Sequence, residues 1–210
     1  MSKAFIEKIL TRIQSVKNIE WQGVNLCRVE RDRRASILTG FIWEHQIHKK
    51  DVDFFVDRNP DFIASIPSGA FWLGDAIQAC EGSNIGWGGV GTLHSACLSD
   101  NPRSLSEKST AFARRFMRQN RNVESVIYIN SVLLQATLNS GKAVKIALCD
   151  AYDLTSEHVR VAWDEIGPFD AIFKNNPNGG ISSDALHAAT DLEISVIDKD
   201  TANQYFRASQ

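Results

Sequence analysis

The stretch from residue 169 to 198 constrains the fold more than any other part of the chain. Its short apolar run, Asp170 to Phe173, is followed at 175–180 by three asparagines, a proline and two glycines. Neither a helix nor a central strand tolerates such a cluster. Residues 182–192 then supply capping oxygens and helix-forming alanines and leucines, and 194–198 has the composition of a strand. The stretch therefore predicts a strand-loop-helix-strand unit whose ligand would lie at the loop, beyond the carboxyl end of the strand.

The alternation of strands and helices extends back to Val144. Residues 154–166 have the apolar spacing of a helix capped by Thr155 or Ser156, and Thr201 to Arg207 forms a short terminal helix. The resulting β-α-β-α-β-α order predicts a parallel sheet with right-handed crossovers.

Residues 123–150 have two interpretations. In one, 126–129 is a strand, 131–138 a helix and 144–148 a parallel strand. In the other, 126–138 is one long strand that turns at Asn139 to Lys142 into an antiparallel partner. The β-branched start favours a strand and Leu133 to Ala136 favours a helix; we adopt the hairpin.

The N-terminal half is predicted from shorter patterns. Apolar residues between Phe5 and Val16 recur at helical spacing, and another helix is expected from Ala70 to Cys80, ending near Gly82. Short apolar runs between turn residues predict antiparallel strands, of which the second is also compatible with a helix. These runs are 24–29, 36–43, 52–56 and 62–66.

The fold class predicted for the whole chain is α/β or α+β. Residues 1–122 are expected to form an α+β region with an N-terminal helix, short antiparallel strands, a Gly-rich loop and a basic helix. Residues 123–210 are expected to form a Rossmann-like α/β region with a parallel sheet. No linker of Pro, Ser or Gly divides the two regions, so we expect one compact unit.

A Gly-rich segment at residues 86–93 contains the pattern G-x-G-x-x-G, which makes Gly88, Gly89 and Gly91 candidate ligand-binding residues. Residues 81–85 do not form the buried strand that a dinucleotide loop requires, and the nearest acid, Glu107, lies at a predicted helix start. A turn with close backbone approach, packed across by Trp87, is therefore favoured over a cofactor loop.

A basic helix is predicted from Ser104 to Gln119. Arg114, Arg115 and Arg118 occupy one sector, away from an apolar stripe. Arginine suits phosphate because its planar guanidinium donates two hydrogen bonds at once, so these three side chains are candidate ligands for a nucleic acid or a nucleotide. The alternative is a solvated helix face.

Polar residues also follow the predicted parallel strands. Asp150 and Asp198 each end a strand, and Asn176 and Asn178 follow the strand between them. These side chains would converge at one sheet edge, where two carboxylates with amide oxygens suit Mg²⁺ and metal-assisted hydrolysis. Phosphate binding by the Asn-rich loop alone is disfavoured because Asp184 already lies in the first turn of the next helix.

Three functions remain open after these observations. The first is binding of a phosphate-containing ligand, either nucleic acid or a nucleotide, through the arginine helix. The second is a Mg²⁺-dependent hydrolase or nuclease with Asp150 and Asp198 as catalytic and metal-binding residues. The third is an interaction or assembly module, such as a homo-oligomer formed through the N-terminal helix. Whether the protein is an enzyme stays open.

The setting is predicted from composition. Four widely spaced cysteines without a CxxC pair indicate buried free thiols in a reducing compartment, and no secretory leader or run of about 20 apolar residues is present. We therefore expect a cytoplasmic protein with no membrane partner.

Overall fold

The structure is a computed structural model that describes residues 3–210. Its mixed α/β fold, with eight helices and three sheets in those residues, confirms the coarse fold class. The chain divides into two compact units, residues 1–108 and 109–210. The sequence-based boundary lies later, after residue 122, and the expectation of one compact unit stays a prediction.

The first unit consists of a leading helix, a main five-stranded sheet and three further helices. Strands β1, β2 and β3 are antiparallel neighbours, and β3, β5 and β7 are parallel neighbours; β4 and β6 form a separate parallel pair. A 3₁₀ turn at Pro102–Ser104 follows. The elements are α1 (Lys3–Leu10), β1 (Val16–Trp21), β2 (Leu26–Arg31), β3 (Arg34–Ile42), β4 (Gln46–Ile47), α2 (Lys49–Val56), β5 (Phe62–Ser65), β6 (Phe71–Trp72), α3 (Gly74–Gly82), β7 (Gly86–Gly89) and α4 (Val90–Leu98).

Several expectations for this unit are corrected. The run 36–43 is a strand, but 52–56 is part of helix α2, because the main-chain N-H of His48 is capped by Asp51 and both Val52 and Phe55 face the core. Strand β5 is parallel to β3, not antiparallel. The helix expected from residue 70 begins only at Gly74, after strand β6, and ends as predicted at Gly82. The N-terminal helix ends at Leu10, and Met1 and Ser2 lie outside the described residues.

The prediction of a turn at the Gly-rich segment is also wrong, since Gly86–Gly89 is strand β7. Its glycines allow close approach inside the unit. A Cβ on Gly86 would collide with the main-chain carbonyl of Pro102, and one on Gly88 would lie 2.8 Å from Cβ of Thr92. Trp87 is buried against Trp72, with ring centroids 5.3 Å apart.

The second unit has one five-stranded mixed sheet in the order β12-β11-β10-β9-β8. Strands β10, β11 and β12 are parallel neighbours reached through helices, so the predicted β-α-β-α-β-α order is confirmed. The elements are α5 (Lys108–Arg118), β8 (Val123–Asn130), β9 (Leu133–Leu138), β10 (Ala143–Cys149), α6 (Ser156–Ile166), β11 (Ala171–Lys174), α7 (Ser183–Asp191), β12 (Ser195–Ile197) and α8 (Ala202–Ala208).

The ambiguous segment 126–138 contains no helix. The expected antiparallel hairpin at Asn139 to Lys142 is present between β9 and β10. The single long strand is wrong, because the chain reverses at Ser131 and Val132 and forms β8 and β9, which are themselves antiparallel. At this turn the side chain of Asn130 accepts a hydrogen bond from the main-chain N-H of Val132.

The two units repeat one architecture. Each has a leading helix, three antiparallel strands, and then two further parallel strands that alternate with helices. Each of the five strands in the main sheet of one unit pairs as its counterpart does in the other, in the same strand order and with the same relative directions.

Irregular features recur at equivalent places as well. The first strand of each unit has a register shift at the same point, after Val16 and after Val123. An aspartate precedes β5 in the first unit and β11 in the second. Asp61 Oδ2 accepts a hydrogen bond from the N-H of Leu38 at 2.8 Å, and Asp170 Oδ2 accepts one from the N-H of Lys145 at 2.6 Å. Such shared irregularities are not required by the sheet order, so we treat the units as structural repeats.

Each repeat has its own core. In the first unit, α1 and α4 cover the sheet with apolar residues that include Ile6, Leu10 and Leu93. In the second unit, α6 and α7 pack on the sheet around Val159, Ile172 and Ala185, among others. No helix within residues 3–210 has the length and apolar character needed to span a membrane. The four cysteines are free thiols.

Candidate functional site

The second unit contains a cleft at the carboxyl ends of β11 and β12. Its volume is about 320 Å³. The wall is formed by one aromatic residue of α5, by the end of β11 with the Asn-rich loop after it, and by the turn after β12. The lining residues are Phe112, Phe173, Lys174, Asn175, Asn176, Pro177, Gly179, Gly180, Ile181, Asp198, Lys199 and Asp200.

Lys174 places a positive charge in this wall. Its side chain ends β11, and the residue is only 6% exposed. Nζ donates hydrogen bonds to the carbonyl oxygens of Asn176 and Asn178, and no carboxylate of the described residues lies within ion-pair distance of it. Burial raises the pKa of the Cys149 thiol on the paired strand β10, and a hydrogen bond from the main chain of Ala151 and, to a smaller degree, the charge of Lys174 oppose that rise. The ammonium group is thus buried with neutral partners, and an anion in the cleft would balance it.

Asn175 is the next residue and is 5% exposed. Its Nδ2 donates to the carbonyl oxygen of Ser109 at 2.7 Å, whereas its Oδ1 is buried without a hydrogen-bond partner among residues 3–210. Leaving such an acceptor unsatisfied costs about 1–3 kcal/mol. The equivalent position of the first unit is Ile66, an ordinary buried apolar residue. The fold therefore does not require asparagine here.

Aromatic rings form another side of the cleft. Phe112, Phe116 and Phe173 are stacked, with centroids 6.0 and 5.5 Å apart and interplanar angles of 21° and 18°. Phe112 ends this row and is 39% exposed. A planar ligand ring would extend the row and remove apolar surface from water.

The Asn-rich loop is held in shape by its own hydrogen bonds. Asn176 Oδ1 accepts from the N-H of Asn178 at 3.0 Å, and Asp153 Oδ1 accepts from the N-H of Gly180 at 2.7 Å. Gly179 has a φ of +71°, and a Cβ there would collide with the main chain of Tyr152. The loop is therefore preorganised, and its wall does not need to fold around a ligand.

The strand-end acids occupy different places. Asp198 lines the cleft, but its Oδ1 accepts hydrogen bonds from the N-H groups of Asp200 and Thr201 and from Thr201 Oγ1. Partial burial acts to raise the pKa of Asp198, but these hydrogen bonds outweigh it and hold the pKa below its ordinary value. Asp150 is exposed and is not among the lining residues; its carbonyl oxygen accepts a 3.4 Å hydrogen bond from Asn176 Nδ2.

The predicted magnesium site gains no further ligands from acidic, histidine or cysteine side chains. Across residues 3–210, no group of three or more of these side chains is arranged to hold a metal ion. Asn178 contributes its carbonyl oxygen to Lys174. Of the predicted strand-end residues, the structure therefore brings Asn176 and Asp198 into the cleft lining and leaves Asp150 and Asn178 outside it.

The three arginines of α5 do not form one ligand-binding face. Arg114 Nε donates to the carbonyl oxygen of Val126 at 3.3 Å, and its guanidinium lies 4.5 Å from the ring centroid of Tyr128. Arg115 and Arg118 are exposed. Arg115 is three residues from Phe112 and is thus its neighbour on the helix surface, while Arg118 lies in a different sector.

Gly88, Gly89 and Gly91 lie in the first unit, at the junction of β7 and α4. The carboxylate of Glu107 occupies this helix start: Oε2 accepts from the N-H of Gly89 at 3.2 Å and from Thr92 Oγ1 at 3.1 Å. An internal anion is therefore already bound where an external phosphate would lie.

The features that sequence reasoning missed are the charge of Lys174, the burial of Asn175 and the aromatic row. The available signal was a lysine at the end of a four-residue buried strand, followed directly by two asparagines, because a polar group at that place is either solvated or functional. Comparison with protein-family models, with curated proteins and with solved structures gives no match to this chain.

Proposed function

We propose that the second unit binds a phosphate-containing nucleotide in the cleft at the ends of β11 and β12. The observation that carries the proposal is the pair of adjacent buried polar groups in its wall, the Lys174 ammonium without a counter-anion and the unpartnered Oδ1 of Asn175. Both groups cost free energy in the empty protein, and both would be satisfied by a ligand with an anionic part and a hydrogen-bond donor.

The size of the cleft supports a nucleotide over a nucleic acid. A volume of about 320 Å³ is at the lower end of the range for small-molecule sites, and it holds a single nucleotide or a part of one. Phe112 supplies a face for a base to stack on. We also propose that the Rossmann-like character expected for this half of the chain applies here, because ligands of such sheets bind beyond the carboxyl ends of parallel strands.

In this proposal the basic helix contributes one of its three candidate arginines to phosphate binding. Arg115, as the surface neighbour of Phe112, is the arginine that would reach a phosphate outside the cleft mouth, and Lys199 in the cleft lining offers a second cation. Arg114 is left out of the proposal because it is engaged with β8. The hydrolase and the assembly module stay predictions, and no contact of Asp150, Asp198 or α1 favours either of them.

The test is calorimetric titration of the full-length protein with AMP, ADP and ATP and with the corresponding cytidine nucleotides. We expect saturable binding that weakens with added salt. Lys174→Met should reduce affinity roughly 10- to 100-fold, the effect of losing one hydrogen bond to a charged group. Lys145→Met, which removes an exposed lysine from β10, is the matched control and should change little.

A second pair of variants does not depend on a buried residue. Arg115→Ala should weaken nucleotide binding by several-fold, whereas Arg118→Ala on the same helix should not, since both are exposed and only Arg115 neighbours Phe112. If no nucleotide binds saturably, or if both arginine variants and Lys174→Met bind as the wild type does, the proposal is wrong.

A further inference from the structure

We propose that Asn175 determines the specificity of this cleft by selecting a nucleobase that carries an exocyclic amino group. The inference rests on the nucleotide binding proposed above and adds which bases are accepted. It follows from three features of the cleft: the hydrogen-bonding state of Asn175, its position relative to the aromatic row, and the comparison with the first unit.

Only one half of the Asn175 amide has a hydrogen-bond partner among the described residues. Nδ2 is committed to the carbonyl oxygen of Ser109, and this bond fixes which way the amide faces. The group that lacks a partner is Oδ1, which accepts hydrogen bonds and cannot donate them. The missing ligand group is therefore a donor. Adenine, cytosine and guanine carry an amino donor on the ring, whereas unsubstituted purine and 2-pyrimidinone carry none.

The position of Asn175 suits a stacked base. The main-chain N-H of Asn175 continues the strand ladder by donating to the carbonyl oxygen of Cys149 at 2.8 Å. Side chains two residues apart on a strand share a face, so Asn175 lies on the same side of the sheet as Phe173. Phe173 belongs to the row that ends at Phe112, and both Asn175 and Phe112 line the cleft. A base stacked on Phe112 would therefore occupy the same cleft whose wall contains Asn175.

The first unit shows the same fold with other residues at these positions. Ile66 takes the place of Asn175, and Phe5 takes the place of Phe112 with similar exposure, 45% against 39%. An exposed ring at this helix position therefore occurs in both repeats, whereas the place of the unpartnered Oδ1 of Asn175 is taken by an apolar side chain in the first unit. The acceptor is the element that distinguishes a base-reading cleft from a merely apolar surface.

The experiment compares pairs of nucleotides that differ only in the amino group. AMP is titrated against purine riboside 5′-monophosphate, and CMP against 2-pyrimidinone riboside 5′-monophosphate, with the full-length protein. We expect the amino-bearing member of at least one pair to bind roughly 10-fold tighter or more, as for one well-formed buried hydrogen bond. In Asn175→Ile, which copies Ile66, this preference should disappear.

Two further variants separate reading of the amino group from stacking. Phe112→Ala should weaken both members of a pair to the same degree and leave their ratio unchanged, and Phe5→Ala in the first unit should affect neither. Equal affinities within both pairs for the wild type, or an unchanged preference in Asn175→Ile, would overturn the inference while nucleotide binding stands. If no member of either pair binds, the proposed function itself fails.

Discussion

The two units share one fold and differ at one edge. In the first unit, β5 ends at Ser65 and the next residue is Ile66; in the same unit Trp72 packs on Trp87. Where β11 ends in the second unit, the equivalent residues are Lys174 and Asn175, and the edge is a cleft. The comparison shows that the sheet and its helices accept the apolar Ile66 where the second unit has Asn175, so the fold alone does not require the buried amide.

A second comparison concerns the helix that follows the last strand. In the first unit, Glu107 accepts hydrogen bonds from Gly89 and Thr92 at the start of α4. In the second unit, Asp198 and Thr201 stand at the positions of Gly89 and Thr92, and Asp198 accepts from Thr201. A carboxylate from a different place in the sequence thus occupies this helix start in each repeat. Helix-terminal attraction for anions is therefore used internally in both units, and it does not distinguish them.

The largest expected effect tests how closely the first unit is packed around Gly86 at the edge of its sheet. Gly86→Ser introduces the residue found at the equivalent position, Ser195, and its Cβ would collide with the carbonyl of Pro102 and the ring of Phe62. We expect a loss of about 3 kcal/mol in the free energy of unfolding, measured by urea denaturation, because neither the main chain nor the packed ring has space to move.

The reverse change, Ser195→Gly, is the control for this prediction. It removes only a half-buried hydroxyl and adds backbone freedom, so a loss of about 0.5–1 kcal/mol is expected. Hydrogen exchange of α4 and of α8 would assign each loss to its unit. Losses of similar size for the two changes would mean that the space around residue 86 equals the space around residue 195.

An intermediate effect tests the exchange of Ile66 and Asn175. Ile66→Asn places a polar amide in an apolar core and should cost about 2–3 kcal/mol. Asn175→Ile removes an unsatisfied acceptor but also the bond to Ser109, so its stability should stay within about 1 kcal/mol of the wild type. Thermal and urea unfolding measure both. Strong destabilisation by Asn175→Ile would show that Asn175 stabilises the fold. The comparison with Ile66 would then no longer support a role for Asn175 in ligand binding.

The sequence predicts the second half better than the first, and the reason is local. From residue 144 onward each element is bounded by turn or capping residues, such as Thr155 before α6 and Ser182 before α7. In the first half, the run 52–56 is too short for its apolar pattern to separate strand from helix, and β7 is a strand made mostly of glycine, which has a low strand propensity. Tertiary contacts determine the structure of both segments, and the local sequence pattern does not specify those contacts.

The candidate site divides in the same way. The loop and its place beyond a parallel strand follow from residues 169–198, and Asn176 and Asp198 do line the cleft. The burial of Lys174 and Asn175 depends on α5 and the loop closing over them, which no local pattern expresses. The two repeats share one pattern that can be seen in the sequence: Asp75-Ala76, Ala79 and Ile85 recur at the same spacing as Asp184-Ala185, Ala188 and Ile194.

The smallest expected effect concerns the carboxylate at the start of α8. The folded pKa of Asp198 lies below its ordinary value of 3.8, so ionised Asp198 stabilises the fold above that pH, and this contribution is lost as the pH falls through the folded value. Asp198→Asn keeps an oxygen that accepts hydrogen bonds but removes the charge. We therefore expect the variant to be about 0.5 kcal/mol less stable near neutral pH, the typical effect of one charge at a helix start.

The pH dependence separates this effect from a general loss of packing. The gap between wild type and Asp198→Asn should close as the solution is acidified below about pH 4, because the carboxyl group becomes protonated and loses its advantage over the amide. Asp200→Asn is the matched control, since Asp200 is exposed and its carboxylate makes only a 3.7 Å contact with Lys199. Urea unfolding at a series of pH values provides the measurement. A gap that persists unchanged in acid would mean that Asp198 acts through its shape and not its charge, and the parallel with Glu107 in the first unit would then concern hydrogen bonding alone.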